Sequence, residues 1–400
     1  MIKYLIVLLD ARASSFCYYS NERASDKNNL IDYEVLSEII DYAEEKQLAI
    51  NFLYSDNPLP KKYNDLIESV NHIKYIPAAK SKKIDSGIII LNSGSSLIDS
   101  LEYDPNNNVI LRLKKSDLLN LSNIINTLIP KVKRINLSVL DMIDYSHDDI
   151  SSYQTQLDKI IETVVIQYKK GNSVELNFLS DRLLLDNMNN CNAGIDHITV
   201  APNGKFYICP GFYYDDENDI IGDIKTGINI KNIQLLNIEH SSICSICDAY
   251  QCKRCVWMNK NITLEINTPS FQHCALSHME REASRRLLEI LKNEPGFKDF
   301  DNLVPIPEVD YIDPLKALKG GAKSGKQLLH EINNSSPYQI HPAMQDSQPQ
   351  QYFKKNQFDI QNKIPEDLSL KELSIEIYKM QKNILKEFDI NESKSNVKNK

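Results

Sequence analysis

Apolar and polar positions follow two different periods along the first 180 residues. Apolar runs of strand length occur at 4–9 (YLIVLL) and 48–54 (LAINFLY), with shorter ones at 72–77, 87–92, 108–113, 134–140 and 173–179. Runs with no polar face predict strands buried on both sides. Between them the apolar spacing lengthens to three and four. In 32–46, Val35, Leu36, Ile39, Ile40 and Ala43 fall on one face of a helix. A helix over 116–132 is expected to begin at Ser116 or Asp117, and a longer one over 148–171 to end at Gly171. Strands alternating with helices predict an α/β fold over residues 1–184, a parallel sheet with crossover helices that is either open or a partial (β/α) barrel.

The pattern changes at about residue 185. From there to 295 the chain is loop-rich, with a turn at Pro202-Asn203-Gly204, a short strand after it, and a charged helix over 275–293. Gly204 supplies the positive φ that a tight turn needs. Residues 296–366 show no sustained period, and their Gly, Ser, Gln and Pro bias predicts a disordered linker. An amphipathic helix is expected over 367–390, where Leu370, Leu373, Ile377, Met380 and Ile384 share a face suited to a partner or to docking on the barrel.

Composition narrows the function. Hydrophobic residues make up 42% and charged residues 25% of the 400-residue chain, ordinary for a globular protein. The net charge of −8 argues against nucleic acid as a partner. No apolar run approaches the roughly 20 residues that span a bilayer. The N-terminus reads as a buried strand and not as a secretion signal. A cytoplasmic location is therefore expected, where thiols stay reduced and the eight cysteines are ligands, catalysts or core residues.

Seven of those cysteines fall after residue 185: Cys191, Cys209, Cys244, Cys247, Cys252, Cys255 and Cys274. A Cys-x2-Cys pair places two sulfurs on one tight turn. A zinc ribbon spaces two such knuckles about 15–20 residues apart, whereas only four residues separate Cys247 from Cys252. That compression suits iron–sulfur ligation, in which neighbouring cysteines can serve different clusters. Seven ligands exceed one four-ligand site and nearly fill two. A zinc site using four of them is the alternative.

The order of these features resembles the SPASM domain, the twin-cluster extension of radical S-adenosylmethionine enzymes that modify peptides. That pattern is a Cys, a Gly followed four residues on by Cys, a group of four Cys and a final Cys; "VAPNGKFYICPGF" and "IIGDI" also resemble the family. The group of four is one residue shorter in each of its last two spacers. The resemblance implies that Cys244, Cys247, Cys252 and Cys274 hold one [4Fe–4S] cluster, and that Cys191, Cys209 and Cys255 hold a second. The fourth ligand of the second is open: His197, Asp196, a substrate thiolate or a free iron position.

The first strand runs into "DARASSFCYYSN", where radical enzymes carry Cys-x3-Cys-x2-Cys. Here Cys17 stands alone, with Asp10, Ala13 and Ser20 at neighbouring positions. One thiolate does not hold a cluster, and Tyr54-Ser55-Asp56-Asn57-Pro58 replaces the Gly-Gly-Glu-Pro that receives the cofactor. These departures imply a degenerate radical-enzyme barrel and argue against S-adenosylmethionine binding. Over residues 1–295 the chain resembles the CXXX repeat peptide maturase family. That resemblance implies a cytoplasmic role in maturing a cysteine-repeat precursor peptide. The chain would be a maturase whose clusters bind substrate or move electrons, or a non-catalytic partner of an intact radical enzyme; a zinc scaffold is a third reading.

Other residues have more than one reading. Cys17 is a leftover ligand, a substrate thiol or a core cysteine. His273 and His278 tune a cluster through its sulfurs or are solvated residues at a helix start. Lys253 and Arg254 offset cluster charge or are solvated loop residues. Trp257 is expected to shield a cluster from water, and Phe206, Tyr207, Phe212, Tyr213 and Tyr214 to form local core.

Overall fold

Strand β1 (Tyr4–Leu8) leads into helix α1 (Tyr33–Glu45), and the alternation continues through β2 (Ala49–Leu53), α2 (Lys61–Glu68), β3 (His72–Pro77) and β4 (Ile88–Asn92). Next come the single turn α3 (Leu97–Ser100), β5 (Asn108–Leu113), α4 (Leu121–Leu128), β6 (Arg134–Val139), α5 (His147–Lys169) and β7 (Glu175–Leu176). Beyond these lie β8 (His197–Val200), β9 (Lys205–Tyr207), α6 (Pro210–Asp215), β10 (Gly222–Asp223), β11 (Gly227–Ile228), α7 (Val256–Thr263) and α8 (Phe271–Lys292). The computed structural model describes residues 2–21, 30–80, 87–172, 175–241, 243–294 and 303–307, all within one compact unit, Met1–Leu315.

The chain has a mixed α/β fold with a large, mostly parallel sheet. Its strand order is β11-β10-β9-β8-β1-β2-β3-β4-β5-β6-β7. Strands β1 to β7 run parallel in chain order, and β8 joins the other side of β1, also parallel, with Leu5 opposite Ile198. From β8 the chain turns back on itself through antiparallel β9, β10 and β11. The cysteine-rich segment therefore shares its sheet with the first half of the chain.

The apolar run at β1 explains its central place. Leu5, Val7 and Leu9 pack beneath α1 and α2, against Leu36, Ile39 and Ile67. Ile6 and Leu8 point the other way, toward Ala13, Tyr19, Tyr207, Tyr213 and Tyr214. Side chains alternate across a strand, so only a wholly apolar run can serve both cores. Each fully buried Leu or Val contributes roughly 1.5–3 kcal/mol. Gly204 takes φ +73° in the turn between β8 and β9, as the Pro-Asn-Gly sequence predicts.

Three expected elements differ. The helix expected over 116–132 is divided into a tight 3-10 turn, Lys115–Asn120, followed by α4. Neither Ser116 nor Asp117 caps it. Asp117 is engaged by Ser93, whose hydroxyl donates to its carboxylate at 2.6 Å. Among the described residues of the strand expected at 173–179, pairing stops after Leu176, because the Asn177 side chain takes over the ladder: it accepts from Leu137 N (2.7 Å) and donates to Leu137 O (3.2 Å). Helix α8 begins at Phe271, one turn before the expected start, because the Ser270 hydroxyl accepts from His273 N at 3.2 Å and sets the N-cap there.

The expected amphipathic helix over 367–390 lies outside the described residues, as does the linker over 296–366 apart from 303–307. There Val304 N donates to Leu183 O at 2.8 Å and Ile306 is buried. No helix among the described residues is long and apolar enough to cross a membrane.

The 23-residue α5 opens on a reciprocal cap, with Ser146 Oγ accepting from Asp149 N (3.2 Å) and the Asp149 carboxylate accepting from Ser146 N (2.7 Å). Removing the hydroxyl with Ser146→Ala should lower stability by about 1 kcal/mol. Urea titration of the two proteins checks this.

Candidate metal centre

The cysteine loop, residues 244–255, has little regular structure of its own, so side chains from elsewhere fix it. Asp248 is the anchor. Its carboxylate accepts from Arg281 Nε on α8 at 2.7 and 2.8 Å. Its carbonyl accepts from Arg182 Nε at 2.8 Å, and the Arg182 guanidinium lies 4.3 Å from the Tyr250 ring centroid. Both arginines are almost wholly buried. Gln251 donates to Ser277 O on α8 at 2.6 Å, and Arg254 donates to Leu236 O at 2.9 Å and to Asn267 Oδ1. Residues 189–191 run alongside the same loop, with Asn189 N to Tyr250 O (2.8 Å) and Cys191 N to Lys253 O (3.0 Å). The sequence gives no direct signal for this clamp, because its partners are separated by tens of residues.

Within the loop, sulfurs accept from backbone N–H groups just downstream: Ala249 N to Cys247 Sγ, Arg254 N to Cys252 Sγ, and Met258 N to Cys255 Sγ, each 3.4 Å. Cys255 thereby caps α7. Such bonds favour the thiolate over the thiol. On α8, His273 Nε2 lies 3.7 Å from Cys252 Sγ, and His278 Nε2 3.5 Å from Cys247 Sγ. The solvated reading of His273 is overturned: it is 3% exposed, because capping at Ser270 turns it inward. The solvated reading of Arg254 fails too, since it is 2% exposed. Its guanidinium and the Lys253 ammonium sit within electrostatic reach of Cys252.

The cysteines fall into two groups of four. Cys244, Cys247, Cys252 and Cys274 are mutually close, each pair within electrostatic reach. Cys191, Cys209 and Cys255 form a second mutually close set, and Cys17 joins it. Burial is the main influence on every one of these thiols and raises its pKa, to about 11 at Cys247 and about 12 at Cys17; the neighbouring thiolates raise most of them further. Among the described residues, no three Cys, His, Asp or Glu side chains close in as ligands of a single metal ion. The sulfurs are buried at Cys209, Cys244 and Cys255 and partly buried at the others; three of the eight accept from backbone N–H groups, and the buried Arg254 and half-buried Lys253 lie near them.

The surrounding residues shield this region. Phe206, Tyr207, Phe212, Tyr213 and Tyr214 are all buried. Trp257 packs face-on against Gly211, where an added Cβ would come within 2.7 Å of the indole, and its Nε1 donates to Asp215 at 2.6 Å. Of the other fourth-ligand candidates, Asp196 is paired with Lys3 (2.9 Å) and Asn192 (2.8 Å). His197 is stacked on Tyr4 with centroids 4.8 Å apart, and burial depresses its pKa to about 4.

Glu280, one turn beyond Ser277 on α8, accepts from the Tyr153 hydroxyl at 2.7 Å, and burial raises its pKa to about 7. Tyr18, His273, Cys252 and Glu280 line a small cavity between the loop after β1, the cysteine loop and α8.

No family model matches this chain, and no curated protein does. A solved structure with some similarity is the crystal structure of Streptococcus suis SuiB bound to precursor peptide SuiA, at 12% identity and a TM-score of 0.33, covering 61% of this chain and 66% of that one. The present chain thus spans just under two thirds of that protein's length.

Asp248→Ala would remove the carboxylate that buried Arg281 bonds and that lies 3.9 Å from buried Arg182. It should cost about 3 kcal/mol, read as a drop in the urea midpoint. Glu280 gives a pH signature. Its folded pKa lies above its unfolded value, so its contribution is present below about pH 4.5 and is lost as pH rises through about 7. The stability difference between wild type and Glu280→Gln should therefore shift by about 3 kcal/mol in favour of wild type on going from pH 8 to pH 5.

Proposed function

We propose that this chain is an iron–sulfur protein of peptide maturation, acting on a ribosomally made, cysteine-repeat precursor. Cys244, Cys247, Cys252 and Cys274 hold one [4Fe–4S] cluster, and Cys191, Cys209 and Cys255 contribute to a second. The electrostatic proximity of the thiols supports the reading: Cys244, Cys247, Cys252 and Cys274 interact with one another, as do Cys191, Cys209 and Cys255. When bound, such clusters supply either an electron path or an open iron site for a substrate thiolate. The chain's own residues exclude water through Trp257 and the tyrosines, offset charge through Arg254 and Lys253, and set the donors at sulfur through His273 and His278.

A role beside an intact radical enzyme, gripping the precursor without cleaving S-adenosylmethionine, is favoured by a second observation. The mouth of the sheet, where such a cofactor would be received, is tied up by its own side chains. Asn57 donates to Asp10 at 3.2 Å, and Lys80 donates to Asn57 O (2.8 Å) and Ser55 O (3.2 Å). Residues 1–184 then serve as a degenerate barrel and 185–295 as the cluster-bearing part.

Anaerobic reconstitution with iron and sulfide should give a brown protein with about eight irons per chain. Adding S-adenosylmethionine and reductant should yield no 5′-deoxyadenosine, and a cysteine-repeat peptide should bind. A colourless chain with one or two zincs would replace this reading with the zinc scaffold. Release of 5′-deoxyadenosine by this chain alone would overturn the non-cleaving role.

A further inference from the structure

We propose that Cys17, from the loop after β1, is the fourth ligand of the Cys191–Cys209–Cys255 group, so that the first strand and the cysteine-rich segment share one cluster. This rests on the iron–sulfur reading above.

The path of the loop after β1 brings the four together. Cys191 precedes β8, which is parallel to β1, and Cys209 follows antiparallel β9, so both lie at the end where β1 begins and the loop leaving β1 must return along the sheet to reach them. The loop then folds back over the inner face of the sheet and is held there. Arg112 on β5 donates to Cys17 O at 3.3 Å and to Tyr19 O at 3.0 Å. Tyr214 donates to Ala13 O at 3.2 Å, Asn21 donates to the same carbonyl at 2.9 Å, and Tyr19 stacks on Tyr214 with centroids 5.6 Å apart. Cys17 and Trp257 both pack against the core cluster that contains Tyr213 and Tyr214, and Trp257 and Cys191 both pack against the neighbouring cluster that contains Cys209 and Phe212. The cysteine loop ends at Cys255, two residues before that indole.

A second observation points to an occupant. The Tyr19 hydroxyl is buried and has no hydrogen-bond partner, and Tyr19 itself is 1% exposed. That hydroxyl lies within electrostatic reach of the thiols of Cys17 and Cys209. A buried phenol without a partner is costly, and a sulfur-rich group held by those thiols would accept from it. The other protein candidates are less available: Asp196 is engaged by Lys3 and Asn192, and His197 is stacked on Tyr4. Each thiol releases its proton to solvent as it becomes an iron ligand.

The test compares anaerobically reconstituted wild type with Cys17→Ser, Cys255→Ser and Cys244→Ser, reading iron and sulfide content and the low-temperature electron paramagnetic resonance of the reduced proteins. Cys17→Ser should lose the same signal as Cys255→Ser, with iron falling toward half, while Cys244→Ser alters the other signal. Wild-type iron and an unchanged spectrum in Cys17→Ser, with two clusters present in wild type, would overturn this assignment alone. A wild type that takes up no iron would overturn the iron–sulfur reading together with it. A second measurement uses the unaltered chain. In the loaded protein Cys17 should escape N-ethylmaleimide and become modified once iron is chelated. Labelling of Cys17 while both clusters are present would sink the assignment.

Discussion

Thiols gathered in fours away from water resist ionisation twice over. Burial penalises each thiolate, and each thiolate formed repels its neighbours. Both effects push the cysteine pKa values up, so the bare groups are neutral thiols at physiological pH. Only a bound cation or cluster would reverse that balance. The chain has made part of the adjustment in advance: backbone N–H groups point at three of the sulfurs, and Arg254 and Lys253 lie beside them. None of these features gains much from thiols that stay protonated.

Holding the sulfurs in place falls to residues that are not sulfur ligands. Asp248 sits inside the cysteine loop yet bonds outward, to Arg182 upstream and Arg281 on α8. Arg281 in turn donates to Pro307 O, so the 303–307 stretch is tied to the same clamp. Two buried guanidinium groups meet at Asp248, Arg281 on its carboxylate and Arg182 on its carbonyl, so the loop is held at two points of one residue. The α5–α8 pair supports it from behind, through Tyr153 on Glu280 and Arg286 on Asp158 at 2.7 Å.

Much of this was readable from residue pattern. The two periods of the first 180 residues locate most of the parallel strands, and the Pro-Asn-Gly turn is where it should be. The misreadings share a cause: a polar side chain that substitutes for backbone. Asn177 replaces a ladder partner and ends β7 at Leu176, Ser93 takes Asp117 away from capping, and Ser270 starts α8 early. Helices α2, α6 and α7 are too short for periodicity to register. At the candidate centre, the resemblance to the SPASM domain implies two sets of late cysteines, but nothing local says where Cys17 lies. Its position is fixed by Arg112, 95 residues away.

The loop after β1 connects what the front of the chain lacks with what the rear requires. Beside Cys17, Asp10, Ala13 and Ser20 offer no further thiol, so the loop after β1 does not assemble a cluster of its own. Asp10 is buried there, bonded by Asn57 and by Arg12 N at 2.6 Å. The loop's apolar and aromatic members turn inward, and Cys17 goes with them, under the control of Arg112. A loop pinned in this way cannot also open to receive a cofactor at the sheet's mouth without breaking the Arg112 and Tyr214 bonds. The same Arg112 and Tyr214 bonds therefore fix both the position of Cys17 and the path of the loop after β1.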